Sequence, residues 1–141
     1  STAMLAQAAQ RVGDQAQLMT WNLNDPPPAA LVTLAPLDII LCTNVLHYVT
    51  NPQHAMKYFA QLLTPGGTVL VSDYIRHGWW WPLFEGIIHL ADQAHHRTLT
   101  ASAIERITTQ AALTVTKTLT ISAGGPWHGV LVMATLRERA S

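Results

Sequence analysis

Two near-continuous apolar runs separated by one helix length constrain this chain more than any other feature. The first, "LDIILCTNVL" (Leu37 to Leu46), is apolar at successive rather than alternate positions, the character of a strand covered on both faces in a parallel sheet. Asn51 and Pro52 then make a helix entry, and Met56, Phe59 and Leu63 mark its inward face. "TPGG" closes that helix and "TVLVSDY" (Thr68 to Tyr74) is the second buried run.

The flanking segments extend the alternation. Met4, Leu5, Ala8 and Val12 recur at helical spacing and stop at Gly13. Gln17 to Leu23 reads as a strand ended by "NDPPP", where three prolines forbid continuing a helix or a ladder. Ala29 to Leu34 reads as a short helix, and Leu83 to about His95 as another. Ser102 with Glu105 has the spacing of a capping box for a helix through Ala112, with Ile104, Ile107 and Ala111 on one side. Two strands close the chain, Leu113 to Ile121 and Val130 to Leu136, joined by a hairpin turn in "SAGGPWHG". This order specifies an α/β layer fold in a single domain spanning residues 1–141.

Composition narrows the partners. Hydrophobic residues make up 49% and charged ones 11% of the 141 residues, enough apolar mass for a real core. Eight basic against eight acidic residues leave no net charge, and no basic run is present to release counterions from a phosphate backbone, so nucleic acid is not an expected partner. Cys42 is the single cysteine and has no partner for an internal disulfide, which fits a cytoplasmic setting. No apolar stretch approaches a bilayer's thickness, so no membrane partner is expected.

"LDIILCTNVLHYVTNPQHAMKYFAQLLTPGGTVLVSDY" resembles the fourth and fifth strands of class I S-adenosylmethionine-dependent methyltransferases, in particular the carbon-methylating domains of polyketide and nonribosomal peptide synthases. Three motifs carry the resemblance: Asn44 to His47 after one strand, Leu63 to Gly67 as the turn, and Asp73 ending the next strand. "WNLNDP" (Trp21 to Pro26) is similar to the end of the family's third strand, where an aspartate often lies near the adenine. Asn22 stands at that place here, a departure. The resemblance implies a truncated Rossmann-like fold, mostly parallel with an antiparallel last strand, and makes Asn22 and Asn44 the cofactor-binding candidates.

The same resemblance shows what the 141 residues do not contain. The family's first two strands, its Gly-x-Gly loop and the acidic residue that holds the ribose hydroxyls have no counterpart here. No S-adenosylmethionine is therefore expected to bind this chain alone. Without those strands, Gln17 to Leu23 lacks its usual neighbour, and an unpaired buried strand leaves peptide groups unsatisfied. The expected repair is that this segment moves over to pair with Leu37 to Val45. The alternatives are loss of strand geometry or pairing with a second chain, and the exposed sheet edge is a docking surface for a homodimer.

His47 and Asp73 lie at the carboxyl ends of neighbouring parallel strands, roughly 4.8 Å apart, where ligands bind in open α/β sheets. In the resembling methyltransferases such a pair takes a proton from the carbon between two carbonyls, chemistry suited to an imidazole. The plain structural alternative is a strand-end histidine bonded to Asp73. Trp79, Trp80 and Trp81 in "GWWWP" either wall a channel for a tethered acyl chain or pack over the sheet. His89, Asp92 and His96 share one helical face, but no Cys-x-x-Cys or His-Glu-x-x-His accompanies them, so no metal is expected.

Two functions follow. One is a degenerate pseudo-methyltransferase domain serving a polyketide or peptide synthase as a structural or interaction module beside neighbouring synthase domains and an acyl carrier protein. The other is an active carbon methyltransferase on a carrier-bound acyl substrate, using S-adenosylmethionine and N-terminal strands supplied elsewhere.

Overall fold

A computed structural model describes residues 2–75, 86, 97–122 and 128–137. Among them the elements run α1 (Thr2–Val12), α2 (Ala29–Leu34), β1 (Leu37–Thr43), α3 (Pro52–Leu62), β2 (Leu63–Ile75), α4 (Ala101–Gln110), β3 (Leu113–Ser122) and β4 (His128–Leu136). The strands form one sheet in the order β1-β2-β4-β3. β1 and β2 are parallel, and β4 runs antiparallel to both β2 and β3. Three strands therefore share one direction and the last in sequence is inserted against them. This is the truncated Rossmann-like methyltransferase arrangement expected from the sequence, without its first two strands.

Local chemistry explains most boundaries. Asn51 caps α3 by accepting the His54 amide at 3.2 Å, and Pro52 fills the first helical position, where no amide partner is needed. Ala55, Met56, Phe59 and Leu62 form the buried stripe of that helix. The "TPGG" turn is absorbed into β2 as an irregularity, where the register slips between Leu37 and Ile39 of β1. A Cβ on Gly67 would stand 2.9 Å from the Thr64 carbonyl oxygen, so only glycine lets the chain pass there.

The α4 cap differs from the capping box read in the sequence. Thr100, not Ser102, accepts the Ala103 amide at 3.1 Å, and Glu105 accepts the Thr118 hydroxyl at 2.6 Å on β3. The acid is drawn to a strand partner, and the cap is left to the threonine one residue before the helix. Ile104, Ile107 and Ala111 are buried as their spacing requires.

The expected migration of Gln17 to Leu23 onto β1 does not occur. Gln17 to Asn22 has no strand geometry, and β1 is paired with β2 alone among the described residues. The reason lies at Trp21, whose ring packs edge-on against Phe59 of α3 at 5.9 Å and tilted against Tyr58 at 6.4 Å. That contact and the turn that follows draw the segment to the helix.

The two faces of the sheet also differ. Val69, Val71, Val130, Val132 and Ala134 fill the core with α3 and α4. Ile39 and Leu41 instead point from the other face and are 63% and 70% exposed. The two-sided cover expected for "LDIILCTNVL" is thus not observed: a continuous apolar run reports apolarity, not what lies over it. The helix expected at Leu83 to His95 lies outside the described residues apart from Gly86, as does the turn in "SAGGPWHG" apart from Ser122, His128 and Gly129, which belong to the paired strands. Among those residues, no helix is long and apolar enough to cross a membrane.

Candidate functional site

The carboxyl end of β1 turns sharply at Asn44, which takes a left-handed backbone (φ 53°) and donates its amide to the Ser72 carbonyl at 2.8 Å. Asparagine is among the few side chains that tolerate this conformation, so its presence has a backbone cause independent of any ligand. A 3-10 turn over Leu46–Tyr48 follows and buries His47. On the neighbouring strand, Asp73 lies on the packed face at the end of β2, 3% exposed.

The two side chains meet as the strand geometry requires. His47 Nδ1 and Asp73 Oδ1 are 2.6 Å apart, a short charge-assisted contact. Asp73 Oδ1 also accepts the Tyr74 amide at 2.8 Å, and Oδ2 accepts the His47 amide at 3.3 Å. An ionised carboxylate only accepts, so Nδ1 carries a hydrogen in this contact, and in the neutral imidazole the lone pair is then that of Nε2. One aspartate thereby holds both the backbone and the tautomer of His47. The Tyr48 ring lies against the imidazole, with centroids 4.0 Å apart and planes at 50°.

Beneath this pair, Cys42 is buried on β1. Burial, and secondarily the charge of Asp73, push its thiol up to about 12 from an ordinary 9.0. It is a neutral wall of the site and no nucleophile.

The structure does not join the other candidates to the pair. Asn22 belongs to a closed turn: its Oδ1 accepts both the amide and the Nδ2 of Asn24, at 3.1 and 3.2 Å, and its Nδ2 donates to Asp25 Oδ2 at 3.0 Å. Trp79, Trp80 and Trp81, and the trio His89, Asp92 and His96, lie outside the described residues. Among the described residues no group of three or more His, Cys, Asp or Glu side chains can hold a metal ion. Sequence reading missed Tyr48, whose ring contact has no spacing signature, and Asn24, whose partner lies 26 positions away.

Residues 1–69 match the model of a methyltransferase domain family. The non-reducing polyketide synthase Preu3 of Preussia isomera is 30% identical over 74 residues, 52% of this chain and 3% of that protein. The non-reducing polyketide synthase nvfA of Aspergillus novofumigatus is 32% identical over 72 residues, 51% of this chain and again 3% of the relative. The chain therefore spans a small fraction of the length of the curated relatives it matches. Among solved structures, the CMeT domain of the citrinin polyketide synthase superposes with a TM-score of 0.72 at 20% identity, covering 99% of this chain and 38% of that one. Residues 1–69 thus resemble a methyltransferase domain family, and the chain shares its fold with the methyltransferase domain of a polyketide synthase.

Proposed function

We propose that these residues form the acceptor-facing part of a polyketide synthase carbon-methyltransferase domain, in which His47 removes a proton from the carbon between two carbonyls of a carrier-bound acyl chain. The observation that carries this reading is the buried 2.6 Å contact between His47 Nδ1 and Asp73 Oδ1. Asp73 fixes the imidazole with Nε2 as the basic nitrogen, and its negative charge offsets the positive charge His47 acquires with the proton. The acyl carbon becomes an enolate, ready to take an electrophilic methyl group.

The residues present do not by themselves fit S-adenosylmethionine. There is no Gly-x-Gly in the 141 residues, and the Asn22 amide is spent within its own turn. In this reading the donor is gripped by residues outside these 141, and the step performed here is proton removal. In a synthase domain containing these residues, His47→Ala abolishes methyl transfer and leaves binding of S-adenosylhomocysteine unchanged. Unaltered turnover would remove the base assignment.

The closed Asn22 turn favours a second reading, a pseudo-methyltransferase domain kept as an interaction module beside neighbouring synthase domains. The edge of β1, unpaired among the described residues, would then be the pairing surface for such a domain or a second copy. Calorimetric titration of the complete domain with S-adenosylhomocysteine separates the two readings: micromolar binding supports the enzyme, and a flat trace supports the module.

A further inference from the structure

We infer that Asn24 is a positioning residue for the proposed base, tying the loop that carries His47 to the turn that carries Asn22. The inference rests on the proposed function of the His47 and Asp73 pair. It comes from following the backbone amides of that loop one by one. The His47 amide goes to Asp73 Oδ2 at 3.3 Å, Tyr48 to the Val45 carbonyl at 3.0 Å and Val49 to the Leu46 carbonyl at 3.1 Å. The Thr50 amide, next in line, donates to Asn24 Oδ1 at 2.8 Å. The two inner amides are satisfied within the 3-10 turn. The two outer ones are held by side chains from elsewhere, Asp73 at the near end and Asn24 at the far end.

Asn24 is itself fixed. Its amide and its Nδ2 both donate to Asn22 Oδ1, which leaves its own Oδ1 directed at Thr50. Trp21 Nε1 donates to the Asp25 carbonyl at 3.1 Å and closes the turn around it. The Trp21 ring on Phe59, with Leu23 packed against the core, anchors the turn to α3. Asn22 alone would suffice to build an Asx-type turn. The reach of Asn24 to Thr50, 26 positions away, is what turn geometry leaves unexplained. Its consequence is mechanical: the His47 loop is pinned on both sides, and the imidazole cannot swing by movement of its own backbone.

The test uses two readouts on Asn24→Ala, Asn24→Asp and the parent. One is the nuclear magnetic resonance signal of the His47 Nδ1 proton. The other is hydrogen-for-deuterium exchange at the acidic carbon of a β-ketoacyl thioester of N-acetylcysteamine, in the complete domain. Loss of one net hydrogen bond in a positioning role lowers the exchange kcat about fivefold with KM unchanged, and broadens the Nδ1 signal. Asn24→Asp keeps an oxygen acceptor for the Thr50 amide but loses the Nδ2 donor to Asn22 Oδ1, so it recovers each readout only in part; the unchanged KM is what a merely structural role would not give. A parent-like Asn24→Ala in both readouts overturns the inference. His47→Ala is the control for the underlying reading: if it exchanges as fast as the parent, that reading fails. The Nδ1 signal then decides the tie alone, upheld by broadening in Asn24→Ala and overturned by its absence.

Discussion

The two faces of the sheet are built from the same kinds of residue and have opposite fates. On one, Val69, Val71, Val130, Val132 and Ala134 are sealed by α3 and α4, and the face ends at Asp73 and His47. On the other, Ile39, Leu41, Leu119 and Ile121 remain exposed. The register confirms the split, because Leu41 lies opposite Leu70 and Leu70 opposite Met133, whereas Cys42 lies opposite Val71 and Val71 opposite Val132. Stability and the buried pair belong to one face. On the other, Ile39, Leu41, Leu119 and Ile121 leave much of their apolar area in solvent, so these residues hold little folding energy.

The sharpest way to break this contrast is a charge placed on each face. Val71→Asp puts an unpaired carboxylate among fully buried side chains and costs more than about 4 kcal/mol, enough to unfold a domain of this size. Leu41→Asp, on the open face, changes stability by less than about 0.5 kcal/mol. Urea denaturation followed by circular dichroism measures both, and similar losses would erase the distinction.

Alkali probes the packed face by titration. The folded Cys42 thiol has its pKa raised to about 12 from 9.0, so the stability it contributes is whole below pH 9 and drains as pH rises from 9 to 12. The slope is at most about 1.4 kcal/mol per pH unit, since one proton is released on unfolding. Cys42→Ala flattens that window; an unchanged slope would assign the loss to other groups.

The smallest effect concerns the helix that covers the packed face. Thr100→Ala removes the α4 cap and costs about 1 kcal/mol, whereas Ser102→Ala, the cap read in the sequence, costs a few tenths. Thermal denaturation of the two variants side by side checks the order.

How much was legible beforehand follows the range of the interactions. The α3 boundaries were written in Asn51, Pro52 and the Met56 and Phe59 spacing, because caps and stripes act over a few residues. The His47 and Asp73 meeting was legible too, since both follow strands that must pair in parallel. Gln17 to Leu23 was misplaced because its outcome turns on Trp21 finding Phe59, a contact with no local signature. The open face escaped for a related reason: Ile39 and Leu41 look no different in sequence from the buried residues beside them.

The most direct test of the buried pair is deuterium wash-in at the acidic carbon of a β-ketoacyl thioester, measured in the complete domain without methyl donor. With His47 as the base, the parent exchanges that position well above the uncatalysed rate. His47→Ala falls to background, and Asp73→Asn falls by a factor of about 100 or more. Equal wash-in for the parent and His47→Ala would contradict the assignment outright.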